Sequence, residues 1–352
     1  MRVGFLLFFL SCTLSAKPSF IPATPDFSGR YGIQGQALCH TAKNTLAYLA
    51  KGQAYDPLVI HEGKAVKIPL AKIKATLQFV CTHQQQLNDP AFLQKHFRFI
   101  RWYPDQEQSR QVKGKPLLAH LPHDRILMTK YYVHRALASA TWRPDKPYPL
   151  YGLPKDEQHL TVEQASKQSA LLRFRYGKQA ILKGALQQKD VPVLGYFSRE
   201  DIEAALMEGT IVADFGPLSG EKTFNVHRCN EVPYDKNKTP YSQERYWYFK
   251  EVDGVKGYGK DADHKITVMP QVTFAADLAQ LGLGKLLFIQ YKDKAQKTVS
   301  QLGLLADTGG AFTNNLYQVD YLAGSYFGLH EYQQAARHLP DYVAAYFMVL
   351  KD

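Results

Sequence analysis

Cysteine is scarce, with four residues in 352, at positions 12, 39, 81 and 229. If a leader carrying Cys12 is removed, three remain, an odd number for a disulfide framework. Cys39 and Cys81 fall on consecutive helix-like segments, so they either pair in an oxidising compartment or stay as buried thiols. Motifs of several large enzyme classes are missing as well. There is no HExxH and no paired CxxC; the nearest groupings, His120 with His123 and His227 with Cys229, lack ligand spacing, so no metal is expected. The run 254-GVKGYG-259 has neither the spacing nor the strand-to-helix context of a phosphate loop, and no GxSxG elbow occurs, so no cofactor is expected. Internal repeats and low-complexity tracts are absent. Beyond the first sixteen residues nothing is long and apolar enough to span a membrane.

Acidic charge is in deficit, with 32 Asp and Glu against 43 Lys and Arg and a net charge of +11. Such a balance would suit nucleic acid in a cytosolic protein. The opening MRVGFLLFFLSCTLSA argues against that partner. Arg2 supplies a positive start, Val3 to Leu10 an apolar core and Leu14-Ser15-Ala16 a cleavage site, which together read as an export signal over residues 1–16. A lipoprotein signal with Cys12 acylated is the second reading, and would anchor the chain to the outer membrane. Either way the chain is expected in the periplasm or at the outer membrane, facing an anionic envelope polymer.

What is present is a chain of globular composition, 45% apolar and 21% charged, rich in Tyr (22) and Phe (19). Residues 34–102 show helical spacing: IQGQALCHTAKNTLAYLAKG ends at Gly52, IPLAKIKATLQFVCTHQQQL follows, and Asp89-Pro90 opens DPAFLQKHFRFI. After residue 125 the texture turns to β, beginning with ILMTKYYVHRAL. Pro144, Pro147, Pro149 and Pro154 then exclude a long helix or a central strand and mark a crossing into a second unit. In that unit 198-SREDIEAALMEG-209 predicts a helix capped by Ser198 and ended by Gly209, with TIVADFG and KTFNVHR as strands. From 245 onward RYWYFKEV, KITVMPQVTF, KLLFIQYK, SQLGLLAD, NLYQVDYLAG and YVAAYFMVLKD predict strands, giving an α+β, mainly β class.

The stretch 303-GLLADTGGAFTNNLYQVDYLAG-324 carries two aspartates. Asp307 closes an apolar run, and Gly309-Gly310 would let the chain turn tightly there. Asp320 lies between Val319 and Tyr321, so alternation points it away from both. On spacing alone, ordinary turn and strand-edge aspartates account for the pair. If both line a cleft, burial and mutual repulsion would raise the pKa of Asp320 and equip it as a general acid.

This stretch resembles the C-terminal motif of the membrane-bound lytic murein transglycosylase A family: a D-x-G-G-A turn (Asp307 to Ala311), then an aspartate in a short apolar strand (Asp320) and a glycine (Gly324). Upstream, 128-MTKYYVHRALASATW-142 with YPLYGLP, FSREDIEAAL, CNEVPYDK and RYWYFKEVDGVKGYG resemble further family segments in the same order. The resemblance implies a double-psi β-barrel with N-terminal helices, built from residues 17–135 and 243–352, and a shortened β domain inserted at 136–242 as the other wall of a groove. It implies a peptidoglycan lytic transglycosylase, which cleaves the MurNAc–GlcNAc β-1,4 bond without water and leaves a 1,6-anhydro end. Asp320 would be the single acid and base, Asp307 its supporting carboxylate, Gly309 and Gly310 the floor, and Thr129, Tyr131 and Tyr132 sugar-binding residues. Three departures stand out. Met269 occupies the position assigned to a third aspartate, in a segment of the form A-V-D-P; 214-DFGPLSGEKTF-224 replaces a Q-G-S-G groove motif; and the helical part between CNEVPY and RYWYF is largely missing. The alternative is a non-catalytic glycan-binding envelope protein on the same fold; a hydrolytic glycosidase is a third option.

Overall fold

The computed structural model describes residues 17–260, 262–310 and 312–352; the leader with Cys12, and Ala311, lie outside the described residues. Fourteen strands are described. In chain order they are β1 (Ser19–Pro22), β2 (Arg30–Tyr31), β3 (Phe97–Tyr103), β4 (Ile126–Leu137), β5 (Tyr148–Tyr151), β6 (Val193–Phe197), β7 (Thr210–Asp214) and β8 (Glu221–Cys229). There follow β9 (Trp247–Val252), β10 (Thr273–Ala275), β11 (Leu286–Lys292), β12 (Thr298–Asp307), β13 (Gln318–Tyr326) and β14 (Tyr342–Leu350). Twelve of them form one sheet in the order β1-β3-β14-β11-β12-β10-β13-β4-β7-β8-β9, with β2 beside β12. β4 also pairs back onto β14, which closes β14-β11-β12-β10-β13-β4 into a six-stranded ring. The class is α+β and mainly β, as the sequence predicts.

The ring strands bury apolar residues on both faces, Phe288 and Leu304 on one and Val319, Tyr321 and Phe347 on the other, all in one core cluster. Helices Gly35–Ala50 and Leu70–Thr82 cover it. The first buries Leu38, Ala42, Thr45 and Leu49, a stripe at helical spacing, and Cys39 is joined to Cys81 on the second by a disulfide. Helix Pro90–His96 starts where expected, with Asp89 accepting the Ala91 N–H. The FRFI that follows was expected to continue it but is the start of β3. Phe97 and Phe99 are buried with Arg98 exposed between them, a period-two pattern that outweighs the helical one. KITVMPQVTF is likewise not one strand: only Thr273 and Phe274 of it enter β10. Helix Gly328–Ala336, between β13 and β14, was not foreseen.

β4 outruns the ring. Its last four residues, His134 to Leu137, pair with Ile211 to Asp214 of β7, so one strand belongs to both halves of the sheet. Around β7, β8 and β9 a second lobe has its own apolar clusters, one with Phe197, Ile202, Ile211, Phe224 and Phe249, another with Tyr151, Leu153, Ile181, Tyr246 and Tyr248. The proline-rich segment forms only the short β5, in a two-stranded sheet with β6. Helix Arg199–Glu208 packs on β4, started by Ser198, which accepts the Asp201 N–H, and ended by Gly209 at φ 77°. Asp201 and His134 fasten it to β4 at 2.8 Å.

Candidate active site

Strand register brings the two aspartates together. Ala275 of β10 is the partner of Asp307 on one side and of Asp320 on the other, and Asp320 pairs with Thr129 of β4. Residues in register on neighbouring strands project to the same face, so Asp307, Ala275, Asp320 and Thr129 form one row. Ala275 keeps the centre of that row low, with the two carboxyls about 10 Å apart at the backbone, two strand spacings.

Both carboxyls are half-buried. The Tyr131 hydroxyl donates to Asp307 Oδ2 at 2.8 Å and the Thr308 N–H to Oδ1 at 2.8 Å. Burial nevertheless pushes Asp307 up to about 6, with Tyr131, Thr308 and the charge of Lys265 holding it from rising further. Asp320 is pushed to about 6, first by burial and then by the Asp307 charge, against the pull of the Thr129 hydroxyl, Lys130 and the Tyr321 N–H. Its Oδ1 is buried and has no hydrogen-bond partner. A carboxyl raised this far is protonated in mildly acidic conditions and can return to the anion within one reaction cycle.

The sugar-binding candidates differ in their placement. Thr129 stands beside Asp320; its hydroxyl accepts from the Gln318 side chain at 2.8 Å and donates to the Val319 carbonyl at 3.2 Å. Tyr131 is tied to Asp307. Tyr132 is 9% exposed and lies face to face on Tyr332 of helix Gly328–Ala336, with ring centroids 4.5 Å apart. Gly309 and Gly310 turn the chain without left-handed backbone, contrary to the reason expected for them. A Cβ at Gly310 would meet nothing within 4 Å, and one at Gly309 only the Phe312 ring at 3.9 Å. What the glycines leave is open space beside the carboxyls. At Gly324 the requirement is steric: a Cβ there would sit 2.6 Å from the Tyr326 hydroxyl, which folds back over the bulge in β13.

Met269 lies outside every described strand, on the helix-covered side rather than in the carboxyl row. Eight residues further on, at the end of β10, Ala275-Ala276-Asp277-Leu278 places another aspartate. Asp277 is 1% exposed and accepts the Gln280 N–H at 3.1 Å and the Asn315 N–H at 3.0 Å. It therefore anchors the loop that joins Asp307 to Asp320. Met269 belongs to the helix-covered side, where its N–H donates to Thr41 at 3.0 Å.

Sequence reasoning also missed Glu208, the last residue of the second lobe's helix. It is half-buried, and burial followed by the charge of Asp320 pushes it up to about 7, against His134. The capping pattern located the helix end, but nothing in the local sequence marked its last residue as raised. A cleft of about 980 Å³ opens between the lobes, lined by Tyr55, His264, His227, Lys250 and Leu160 among others. It does not include either aspartate, but His264 on its wall is the neighbour of Lys265, whose charge acts on Asp307. Among the described residues no group of three or more His, Cys, Asp or Glu is placed to hold a metal, and no helix is long and apolar enough to cross a membrane.

No family model matches the chain, and no curated protein matches it in sequence. Solved structures do. The membrane-bound lytic murein transglycosylase from Agrobacterium tumefaciens is 16% identical over 94% of this chain and 97% of that one, with a TM-score of 0.61. E. coli MltA with bound chitohexaose is 15% identical over 96% and 97%, with a TM-score of 0.60. MltA from Neisseria gonorrhoeae is 16% identical over 95% and 92%, with a TM-score of 0.55. Over nearly its whole described length, this chain has the fold of the MltA lytic transglycosylases.

Proposed function

We propose that the chain is a peptidoglycan lytic transglycosylase, which opens the MurNAc–GlcNAc β-1,4 bond without water and leaves 1,6-anhydroMurNAc ends. The observation that carries this reading is the row Asp307-Ala275-Asp320-Thr129, in which burial raises both carboxyls and Asp320 keeps a buried oxygen unpartnered. The fold shared with a chitohexaose-bound MltA supports a glycan as the ligand. Asp320 protonates the glycosidic oxygen as its bond to C1 breaks, and the resulting carboxylate takes the proton of the C6 hydroxyl as that oxygen closes on C1. One carboxyl suffices because the nucleophile belongs to the sugar, unlike the two-carboxyl hydrolases.

In this reading Asp307 sets the charge beside Asp320, and Tyr131 holds Asp307. Thr129 meets the sugar, and Gly309 and Gly310 leave the floor clear. Tyr132 backs the wall through Tyr332. The ring is proposed as a double-psi barrel. The boundary expected at 243 moves past β9, whose Trp247–Val252 pairs with β8 and packs in the second lobe's core, so residues 17–135 and 253–352 carry the ring and 136–252 the opposite wall of the glycan groove. An exported location, periplasmic or anchored at Cys12, follows from the leader and the substrate.

Digestion of purified murein sacculi, read by mass spectrometry, is expected to release anhydro-muropeptides. Normal product from Asp320→Asn would sink the mechanism. Retention on sacculi without any product would instead favour the non-catalytic reading. Asp277 removes one reason for that alternative, since an aspartate does follow β10.

A further inference from the structure

The run 254-GVKGYG-259 is no phosphate loop, yet two of its glycines are required by close approach. A Cβ at Gly257 would sit 2.6 Å from the Ala306 carbonyl oxygen, and one at Gly259 would sit 2.5 Å from Cα of Lys265. The first contact lets the Tyr258 N–H donate at 2.9 Å to Ala306, the neighbour of Asp307. The second closes a hairpin, in which Gly257 donates to Ile266 at 2.9 Å and Ile266 to Tyr258 at 2.8 Å. Lys265 is thereby carried to two chain spacings from the end of β12, about 10 Å at the backbone.

Register fixes which face Lys265 covers. Thr129, Tyr131 and Val133 alternate along β4 onto the carboxyl face, in keeping with the bond from Tyr131 to Asp307. His134 pairs with Ile211, which sets Val133 beside Thr210; Thr210 pairs with Asn225, and Asn225 with Lys250. The carboxyl face therefore runs on across β7, β8 and β9. The Lys265 ammonium donates to Asn225 Oδ1 at 2.6 Å, and Asp263 forms an ion pair with Lys250, so the hairpin lies along that row. Asn225 is 2% exposed, and its amide donates to the Gly209 carbonyl at 2.9 Å and to the Thr210 hydroxyl at 2.6 Å. Those two bonds turn its Oδ1 toward Lys265.

An ammonium held by a neutral amide keeps its full charge, and the charge of Lys265 is felt at Asp307. Lys265 is half-buried, on the same face as Asp307 and Asp320 and toward the second lobe. Both aspartates repel an anionic substrate whenever they are ionised, so a groove for an acidic strand needs a cation on that face. MurNAc differs from GlcNAc in a 3-O-lactyl arm, whose carboxyl is free or extended by an acidic peptide. We propose that Lys265, oriented by Asn225, is a specificity-determining residue of this groove and binds a carboxylate of the lactyl arm, its own or that of the peptide it carries. The inference rests on the murein reading of the site and names the feature by which an acidic murein strand is preferred to a neutral one.

The test is calorimetric binding in the Asp320→Asn background, so that strands stay whole. The ligands are murein glycan strands bearing peptide stems, strands stripped of stems by an amidase, and each of these with its carboxyls converted to amides. Acidic strands should bind at least about tenfold more tightly than their amidated forms, the lower range for a hydrogen bond between charged groups. Lys265→Met should remove that difference and leave the affinity for amidated strands within twofold, while Lys265→Arg should keep most of it. A difference confined to stem-bearing strands assigns the carboxylate to the peptide; one shared by stripped strands assigns it to the lactyl group. Equal affinity for acidic and amidated strands would overturn the inference, and so would a Lys265→Met loss shared equally by the amidated forms. In either case anhydro ends released by the wild type would leave the lytic reading standing. Charge preference without anhydro ends would remove the lytic reading alone.

Discussion

In the second lobe Glu157 is completely buried and held by Arg173 and Arg228, each at 3.0 Å, while Glu203 takes Lys178 and Arg199, each at 2.6 Å. In the ring, Asp320 and Asp307 are half-buried, no ion pair joins either of them to a described residue, and their charge is opposed by hydroxyls, two N–H groups and more distant lysines. The first arrangement makes burial of a carboxylate tolerable by pairing it, and it fixes structure. The second leaves the desolvation uncompensated, so the group answers by holding its proton. Burial alone therefore does not mark a working acid; burial without a partner does. Glu208, in the lobe of paired acids, is half-buried and likewise raised, first by burial.

The sharpest way to break this contrast is to remove each kind of carboxyl in turn. Asp320→Asn keeps the shape and loses the proton, and should lower product release from sacculi by at least about a hundredfold, the lower range for a general acid and base. With wild-type protein the rate should fall as pH rises through about 6, because the acid form of Asp320 is lost there. A rate that climbs steadily from pH 5 to 8 would contradict the assignment.

Next in size is the paired kind. Glu157→Gln leaves two buried guanidinium groups facing a neutral amide, at a cost of roughly 3–5 kcal/mol. Hydrogen exchange followed by mass spectrometry should show the second lobe's strands, β8 and β9 above all, opening faster while the ring's β11 and β12 change little. Equal acceleration in both lobes would mean that they do not respond separately.

Stability supplies a smaller test with the opposite sign. The folded pKa of Asp320, about 6, lies above its ordinary value of 3.8, so the folded state binds more protons between those values and loses stability as pH rises through them. Asp320→Asn removes that cost at neutral pH. It should raise the unfolding free energy by about 1–2 kcal/mol at pH 7, from roughly 1.4 kcal/mol per unit discounted for the half-open site, and by almost nothing at pH 4. A variant inactive yet more stable at pH 7 is what a site kept for function predicts. Destabilisation at both pH values would make Asp320 a structural residue.

Much of this was legible in the sequence, for identifiable reasons. β4 matches ILMTKYYVHRAL end to end because its apolar and aromatic run is bounded by polar residues, and helix Arg199–Glu208 has both its caps written out as Ser198 and Gly209. Asp320 and Asp307 lie at a strand interior and a strand end, where the alternation put them. What failed was register across the chain. The strand expected over 265–274 misplaced β10, which runs only from Thr273 to Ala275 and is followed two residues later by Asp277.

The smallest effect concerns the hydroxyl that separates the two ring carboxyls in behaviour. Tyr131 donates to Asp307 and so favours its ionised form, although burial still lifts that group to about 6. Tyr131→Phe removes one charge-assisted hydrogen bond, so Asp307 should rise further, by about one to two units for a bond of roughly 1.5–3 kcal/mol. A more often neutral Asp307 repels the Asp320 anion less, and the pKa of Asp320 should therefore fall. The declining limb of the rate profile should move to lower pH by a fraction of a unit, with the maximal rate reduced only a few-fold. If Tyr131 served the glycan directly instead, the limb would stay in place and KM for soluble glycan strands would rise. The position of the limb thus decides whether Tyr131 acts through Asp307 or on the sugar.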